Sequence, residues 1–263
     1  MSDVLAVVEH RRGSLRDVSF ELVTAGADLV GDTGGDLHLA VIGGDVDAFA
    51  EELSLAGVDA IHTVAEGEEF NHDVSVQAVE ALTEELDPTY VLMGNTVNGL
   101  DYAPAVAERL DLPLVTDAIG LQNDGGLVVT REMYASKVES TVTVDAERAA
   151  VTVRPGEWEA AEEPGEPAVE PFAFDLDESL VRSRVTGFEE VGSGDVDIAD
   201  ADVLVSVGRG IEEEENIELV EELADALGAT LSSSRPIVQF PKLSPMSQLM
   251  SISTMVIGMQ ASV

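Results

Sequence analysis

The sequence predicts an α/β protein: a first domain built on a parallel sheet with an antiparallel part, then a second, smaller α/β unit. Three observations predict it. Short apolar runs alternate with amphipathic stretches as far as Val115, the pattern of strands connected by helices that cover both faces of a parallel sheet. From Leu127 the helical signals stop and strand-like segments follow one another. Beyond a Glu-, Pro- and Ala-rich stretch, the strand–helix alternation resumes near residue 195.

In order along the chain, Val4–Val8 is a nearly continuous apolar run, as a buried strand requires. Ser14 and Asp17 give an S-x-x-D start for a helix through about Val30. Leu37–Ile42 is the next strand, ended by Gly43-Gly44. Val46–Leu55 has helical periodicity and stops at Gly57, and Ala60–Val64 is a strand. Asn71 caps a helix with Val74, Ala78, Ala81, Leu82 and Leu86 on one side, and Pro88 ends it. Tyr90–Met93 is a strand, Tyr102–Leu110 a helix, and Leu114–Val115 begins the next strand. Gly126–Arg131, Ala135–Val144 and Ala149–Arg154 read as consecutive antiparallel strands. Glu157–Asp177 reads as a loop or linker, and Val181–Val185 as a further strand. Asp202–Val207 is a buried strand. A helix follows with Ile217, Val220, Leu223, Ala224 and Leu227 on its buried side, closed by Gly228. The resulting boundaries are 1–190 and 195–263.

The charge balance sets the environment. Against 13 Lys and Arg stand 52 Asp and Glu, a net charge of -39. The acids are scattered among periodic apolar positions rather than gathered in a tail. Self-repulsion of this size loosens a compact chain at low salt and is screened in molar salt. The reading is a salt-adapted, high-salt cytoplasm. No basic patch is available for phosphates, which excludes nucleic acid and anionic membrane as partners. There is no cysteine, which excludes disulfides, thiol catalysis and cysteine-ligated clusters. His10, His38, His62 and His72 lie apart in sequence, without metal spacing, and read as strand-end or surface residues. The N-terminus lacks a signal-peptide layout, and Leu249–Val263 is too short and too rich in Ser and Thr for a spanning helix. The protein is placed in the cytoplasm with no membrane insertion.

Three groups of residues stand where strand ends meet helix starts. Gly94-Asn95-Thr96 can approach a ligand or make a turn with an N-cap; both uses need the same residues. Gly208-Arg209-Gly210 offers a tight turn, a guanidinium fork for phosphate and a following helix N-terminus, although Glu212–Glu215 would repel an anion there. Ser232-Ser233-Ser234-Arg235 combines hydroxyls with a second guanidinium. In a parallel sheet Arg209 and Arg235 would share one edge. No nucleophile–base pair or metal motif is present, so no catalytic residue is assigned.

At these residues the chain resembles the electron-transfer flavoprotein α-subunit family, of a haloarchaeal type. Three stretches carry the likeness: YVLMGNTVNGLDYAPAVAERLDLPLVTDAIGL (residues 90–121), REMYASKVESTVTVDAERAAVTVRPGEWEAAE (residues 131–162) and VSVGRGIEEEENIELVEELADALGATLSSSRPIV (residues 205–238). The last, with its G-R-G, its E-N-x-x-L helix and its S-R segment, is the most specific. The resemblance implies an α/β first domain that docks on a β-subunit, then a flavodoxin-like domain holding FAD. It implies an electron carrier rather than an enzyme, taking electrons from acyl-CoA dehydrogenases or similar flavoenzymes in fatty-acid β-oxidation and passing them to a quinone oxidoreductase. By the same resemblance Arg209 and Gly210 meet FAD phosphate, and Ser234 and Arg235 lie beside the flavin.

The chain departs from the family at Glu212 and Glu213, where Gly or Ser is usual. After the S-R segment the family's V-G-Q-T-G-K loop and G-I-S-G-A-x-Q-H helix start are not found. No acidic residue follows Asp225, and Met246, Met250, Met255 and Met259 crowd the end. The segment from about 239 is therefore expected to be a truncated or frame-shifted end to an incomplete FAD domain. The alternative is a flavin-free interaction protein descended from this family.

Overall fold

Apolar runs without polar interruption must be covered on both faces, and in the computed structural model they form the centre of one sheet. The structure describes residues 2–187, 203–211 and 214–233. The chain divides into a first unit, Met1–Thr186, and a second, Gly187–Val263.

The first unit opens with β1 (Val4–Val7), buried at every position. A small hairpin, β2 (His10–Arg11) with β3 (Ser14–Leu15), precedes helix α1 (Asp17–Thr33). There follow β4 (Leu37–Ile42), α2 (Val46–Glu52), β5 (Ala60–Val64), α3 (His72–Leu86), β6 (Tyr90–Gly94) and α4 (Val97–Arg109). Strands β7 (Leu114–Asn123), β8 (Leu127–Met133), β9 (Val138–Thr143), β10 (Ala149–Val153) and β11 (Ala168–Pro171) complete it. Across the nine-stranded sheet the order is β11-β5-β4-β1-β6-β10-β7-β8-β9. The chain lays strands outward from β1 to β5, then restarts with β6 on the other side of β1, so the point where ligand crevices form lies between β1 and β6. One core, with Leu22, Leu29 and Phe49, joins α1 and α2 to one face. The other, with Val79, Leu82 and Val106, joins α3 and α4 to the opposite face.

Several expected elements are placed differently. Ser14 does not cap α1: it is tied into the hairpin, and Arg16 occupies the cap position without a side-chain bond. Helix α2 ends at Glu52, and α4 begins at Val97 rather than near Tyr102, because Thr96 caps it. Ala149–Val153 is not antiparallel. It runs parallel to both neighbours, inserted between β6 and β7, and within the nine-stranded sheet only β7, β8 and β9 pair antiparallel. Its five buried positions are those of a central parallel strand. At Asp117, which has a φ of 64°, β7 kinks, and beyond the kink Asn123 donates to the Tyr90 hydroxyl at 3.0 Å.

Residues 157–183 are not a free linker but a strap around the sheet edge. The Thr24 hydroxyl donates to the Glu159 carbonyl (2.7 Å), and Trp158 and Ala161 pack on the α1 side. β11 then pairs in parallel with β5, Ala168 opposite Ala60. Phe172 and Phe174 pack on the α3 side. Val181–Val185 forms no strand; a single-turn helix, Glu178–Leu180, stands just before it.

The second unit shows β12 (Leu204–Val207), α5 (Ile217–Leu227) and β13 (Thr230–Ser233), with β12 and β13 parallel. Asp202 lies outside the described residues. Gly228, at a φ of 61°, closes α5 as expected. Val207 and Ile217 form a small core with Ile211, Val220 and Leu231 packed on it. Leu223 and Leu227, expected to be buried, are 40% and 55% exposed. With Leu219 they form a stripe at every fourth position on the other side of the helix.

Candidate functional site

The second unit places the Gly208-Arg209-Gly210 segment directly beyond the carboxyl end of β12, where a single-turn helix, Arg209–Ile211, turns the chain toward α5. The Ile211 amide donates to the Gly208 carbonyl at 3.0 Å, and the Asn216 side chain donates to the Ile211 carbonyl at 3.0 Å, which fixes the approach to α5. Gly210 is exposed, and no heavy atom stands where a side chain at this position would point. Val207 is opposite Ser233 in the parallel pair, so the ends of β12 and β13 share one edge, as the two arginine segments require. Ser234 and Arg235 follow β13 and lie outside the described residues, as does the segment from 239.

Two of the serines are now distinguished. Ser206 and Ser232 bond to one another across the pair at 2.8 Å. Ser233 is fully buried, and among the described residues its Oγ has no hydrogen-bond partner. A buried hydroxyl without a partner is costly, and this one stands at the end of β13, opposite Val207. The open approach at Gly210, beyond the carboxyl end of β12, fits a phosphate-bearing ligand such as a dinucleotide.

In the first unit the corresponding edge is filled from within. Thr96 accepts from the Gly99 amide (3.1 Å) and donates to Glu9 Oε2 (2.5 Å), while Asn98 donates to Glu9 Oε1 (3.0 Å). Burial raises the Glu9 pKa, partly offset by the Thr96 bond. Asn95 donates to Asp117 (2.9 Å) and accepts from the Thr152 hydroxyl (2.9 Å). Arg154 grips both Asp117 oxygens (2.9 and 2.7 Å) and donates to Glu132 (2.7 Å). Its hydrogen bonds hold the Asp117 carboxyl below the usual aspartate range. Gly94-Asn95-Thr96 is thus a turn and cap whose side chains are all engaged. Glu9, Asp117, Arg154 and the burial of Ser233 were not singled out from the sequence; among 52 acidic residues only a position just beyond a strand could have marked Glu9.

The histidines are not all surface residues. His10 and His62 are buried. His38 and His62, distant in sequence, meet at 3.0 Å (Nδ1 to Nε2) across β4 and β5, with the Glu170 carboxylate 3.7 Å from His62. Burial and the neighbouring His38 lower the His62 pKa. Among the described residues no group of three or more His, Cys, Asp or Glu could hold a metal ion. Among them, too, no helix is long and apolar enough to cross a membrane.

Comparison with known proteins adds two matches. Residues 4–177 match the electron transfer flavoprotein domain, and residues 197–257 match the electron transfer flavoprotein FAD-binding domain. The second match thus runs past the S-R segment. The electron transfer flavoprotein subunit alpha of Methylophilus methylotrophus is 39% identical over 241 residues, covering 90% of this chain and 74% of that protein. The subunit alpha of Bacillus subtilis is 31% identical, covering 88% and 72%. A subunit of the lactate dehydrogenase (NAD(+),ferredoxin) of Acetobacterium woodii is 26% identical, covering 89% and 57%.

Proposed function

The chain belongs to the electron-transfer flavoprotein α-subunit family, and from that premise we propose that it carries electrons from acyl-CoA dehydrogenases or similar flavoenzymes to a quinone oxidoreductase in a high-salt cytoplasm. Members of the family are electron-transfer proteins rather than enzymes; they bind FAD and pair with a β-subunit. The observation that carries the proposal is the β12–Gly-Arg-Gly–α5–β13 unit inside the segment matching the FAD-binding domain.

FAD, when bound, supplies reversible storage of electrons. The chain's own residues would bind and orient it. An arginine at position 209 would offer a phosphate two parallel donors, a geometry a lysine lacks. Gly210 would let backbone amides come close. Ser234 and Arg235 would stand beside the ring system, where a fixed positive charge favours the reduced, negatively charged flavin. The first unit would supply the surface that docks on the β-subunit.

The test is a visible absorption spectrum of the full chain, purified in molar salt with and without a co-expressed β-subunit. Flavin bands near one per chain are expected, and Arg209→Ala should weaken FAD binding about tenfold or more, the loss of one charge-assisted contact. A colourless protein in both preparations would overturn the redox role and leave the flavin-free interaction protein.

A further inference from the structure

The strap that ends the first unit is fastened in two ways, and they stop at different places. Phe172 and Phe174 are held by packing. Beyond them the fastening is polar. The Asp177 amide donates to Gln77 Oε1 (2.9 Å), and Asp177 caps the following turn through Ser179. Arg182 then makes three bonds to the Asp73 carboxylate: its amide to Oδ2 (2.8 Å), and its Nε and Nη2 to Oδ1 (3.1 and 2.6 Å). Asn71 donates to the Ser183 carbonyl at 2.7 Å. Arg184, Val185 and Thr186 are exposed, and among the described residues they make no hydrogen bond to the unit.

The anchor is built into the helix. Asn71 caps α3 with its Oδ1 while its amide nitrogen holds Ser183. Asp73 stands in the first turn of α3, where the helix favours a negative charge, and its side chain is only 10% exposed. The Arg182 hydrogen bonds hold its carboxyl below the usual aspartate range. Packing does not explain why the strap stays down here, because a cleft of about 320 Å³ lies at this point, lined by Gln77, Ala105 and Arg182.

We propose that Asp73 and Arg182 form a clasp that sets where the strap of the first unit stops being held down. With the clasp closed, the chain is fixed as far as Ser183. With it open, residues 175–183 are released from the face of the unit, each able to extend by at most about 3.5 Å. Arg182 is a positioning residue: it touches no ligand and acts through the chain it holds.

The test uses the full chain in molar salt, with hydrogen exchange followed by peptide and limited trypsin digestion. In the native protein, cleavage after Arg184 should precede cleavage after Arg182. Asp73→Ala should raise exchange of residues 177–183 by about tenfold or more, the response to losing roughly 1.4 kcal/mol of local closing free energy, and speed cleavage after Arg182 in step. Arg182→Ala leaves the helix intact and should raise exchange in the same residues, with Arg182→Lys between it and the native chain. Exchange in β5 should stay unchanged in all of them, and exchange in α3 should stay unchanged in the two Arg182 variants. Native exchange at 177–183 as fast as at 184–187, unchanged exchange in Arg182→Ala, or a rise spread evenly over the unit would each overturn the clasp.

Discussion

Arg154 serves three oxygens from one position past the end of β10: the two of Asp117 and one of Glu132. It secures a kink that a non-glycine residue makes at positive φ, so its loss leaves both a partly buried carboxylate and a strained turn. Arg154→Met should cost about 2 kcal/mol, less than a fully buried pair because the side chains are partly exposed, read as a lower denaturant midpoint. Gly99→Ala should cost more, about 3 kcal/mol or above, since its added carbon would collide with the Gly94 carbonyl. The pH profile combines opposite signs. Asp73 and Asp117 titrate below 3.8 in the fold, so their contribution is complete above that value and is lost as pH falls through the lower one. Glu9 and Glu21 titrate above 4.5 because they are buried; their ionised forms cost stability at neutral pH, and protonation relieves that cost as pH falls. Stability at fixed salt should therefore hold or rise slightly from pH 7 to about 5 and drop below about 4, which a series of denaturant melts would show. These residues were poorly legible in the sequence, because a carboxylate's role depends on burial and an acidic chain gives no contrast by residue type.

At the scale of elements, legibility followed the strength of local constraint. Asn71 before α3 and Gly228 after α5 were readable because a cap needs particular atoms at a particular place. Gly228→Ala should cost about 1 kcal/mol, the strain of a side chain in left-handed backbone, visible as faster hydrogen exchange in α5 and β13. Ala149–Val153 was readable as a strand, but its direction was not. An antiparallel neighbour follows from a short turn, whereas a parallel place between β6 and β7 depends on where distant chain already lies. The strap was hidden for a similar reason: its Glu-, Pro- and Ala-rich composition is that of a loop, and only Trp158, Phe172 and Phe174 betray that it is pinned down. Helix α5 misled in the opposite sense, since its leucines surround more of the helix than its small core covers.

For the whole molecule, the alternation of strands and helices determined the fold class and three segments carried the family likeness, whereas the restart between β1 and β6 is a matter of strand order that local pattern does not encode. The glycine-arginine turn after β12 was legible as the end of a strand, but not the burial of the Ser233 hydroxyl, which exists only once β12 and β13 pair. A net charge of -39 on 263 residues should make stability rise steeply with ionic strength, as repulsion is screened within about 3 Å at molar salt; melts from about 0.1 to 2 M potassium chloride would show it, and a flat response would remove the case for salt adaptation. The strap also has a consequence in time. β11 covers β5 by pairing Ala168 with Ala60, so during synthesis the edge of β5 leaves the ribosome about a hundred residues ahead of its cover. At about 5–20 residues per second, this edge stands open on each nascent chain for roughly 5–20 s, and that interval is when a crowded cell has the chance to put a foreign strand in its place.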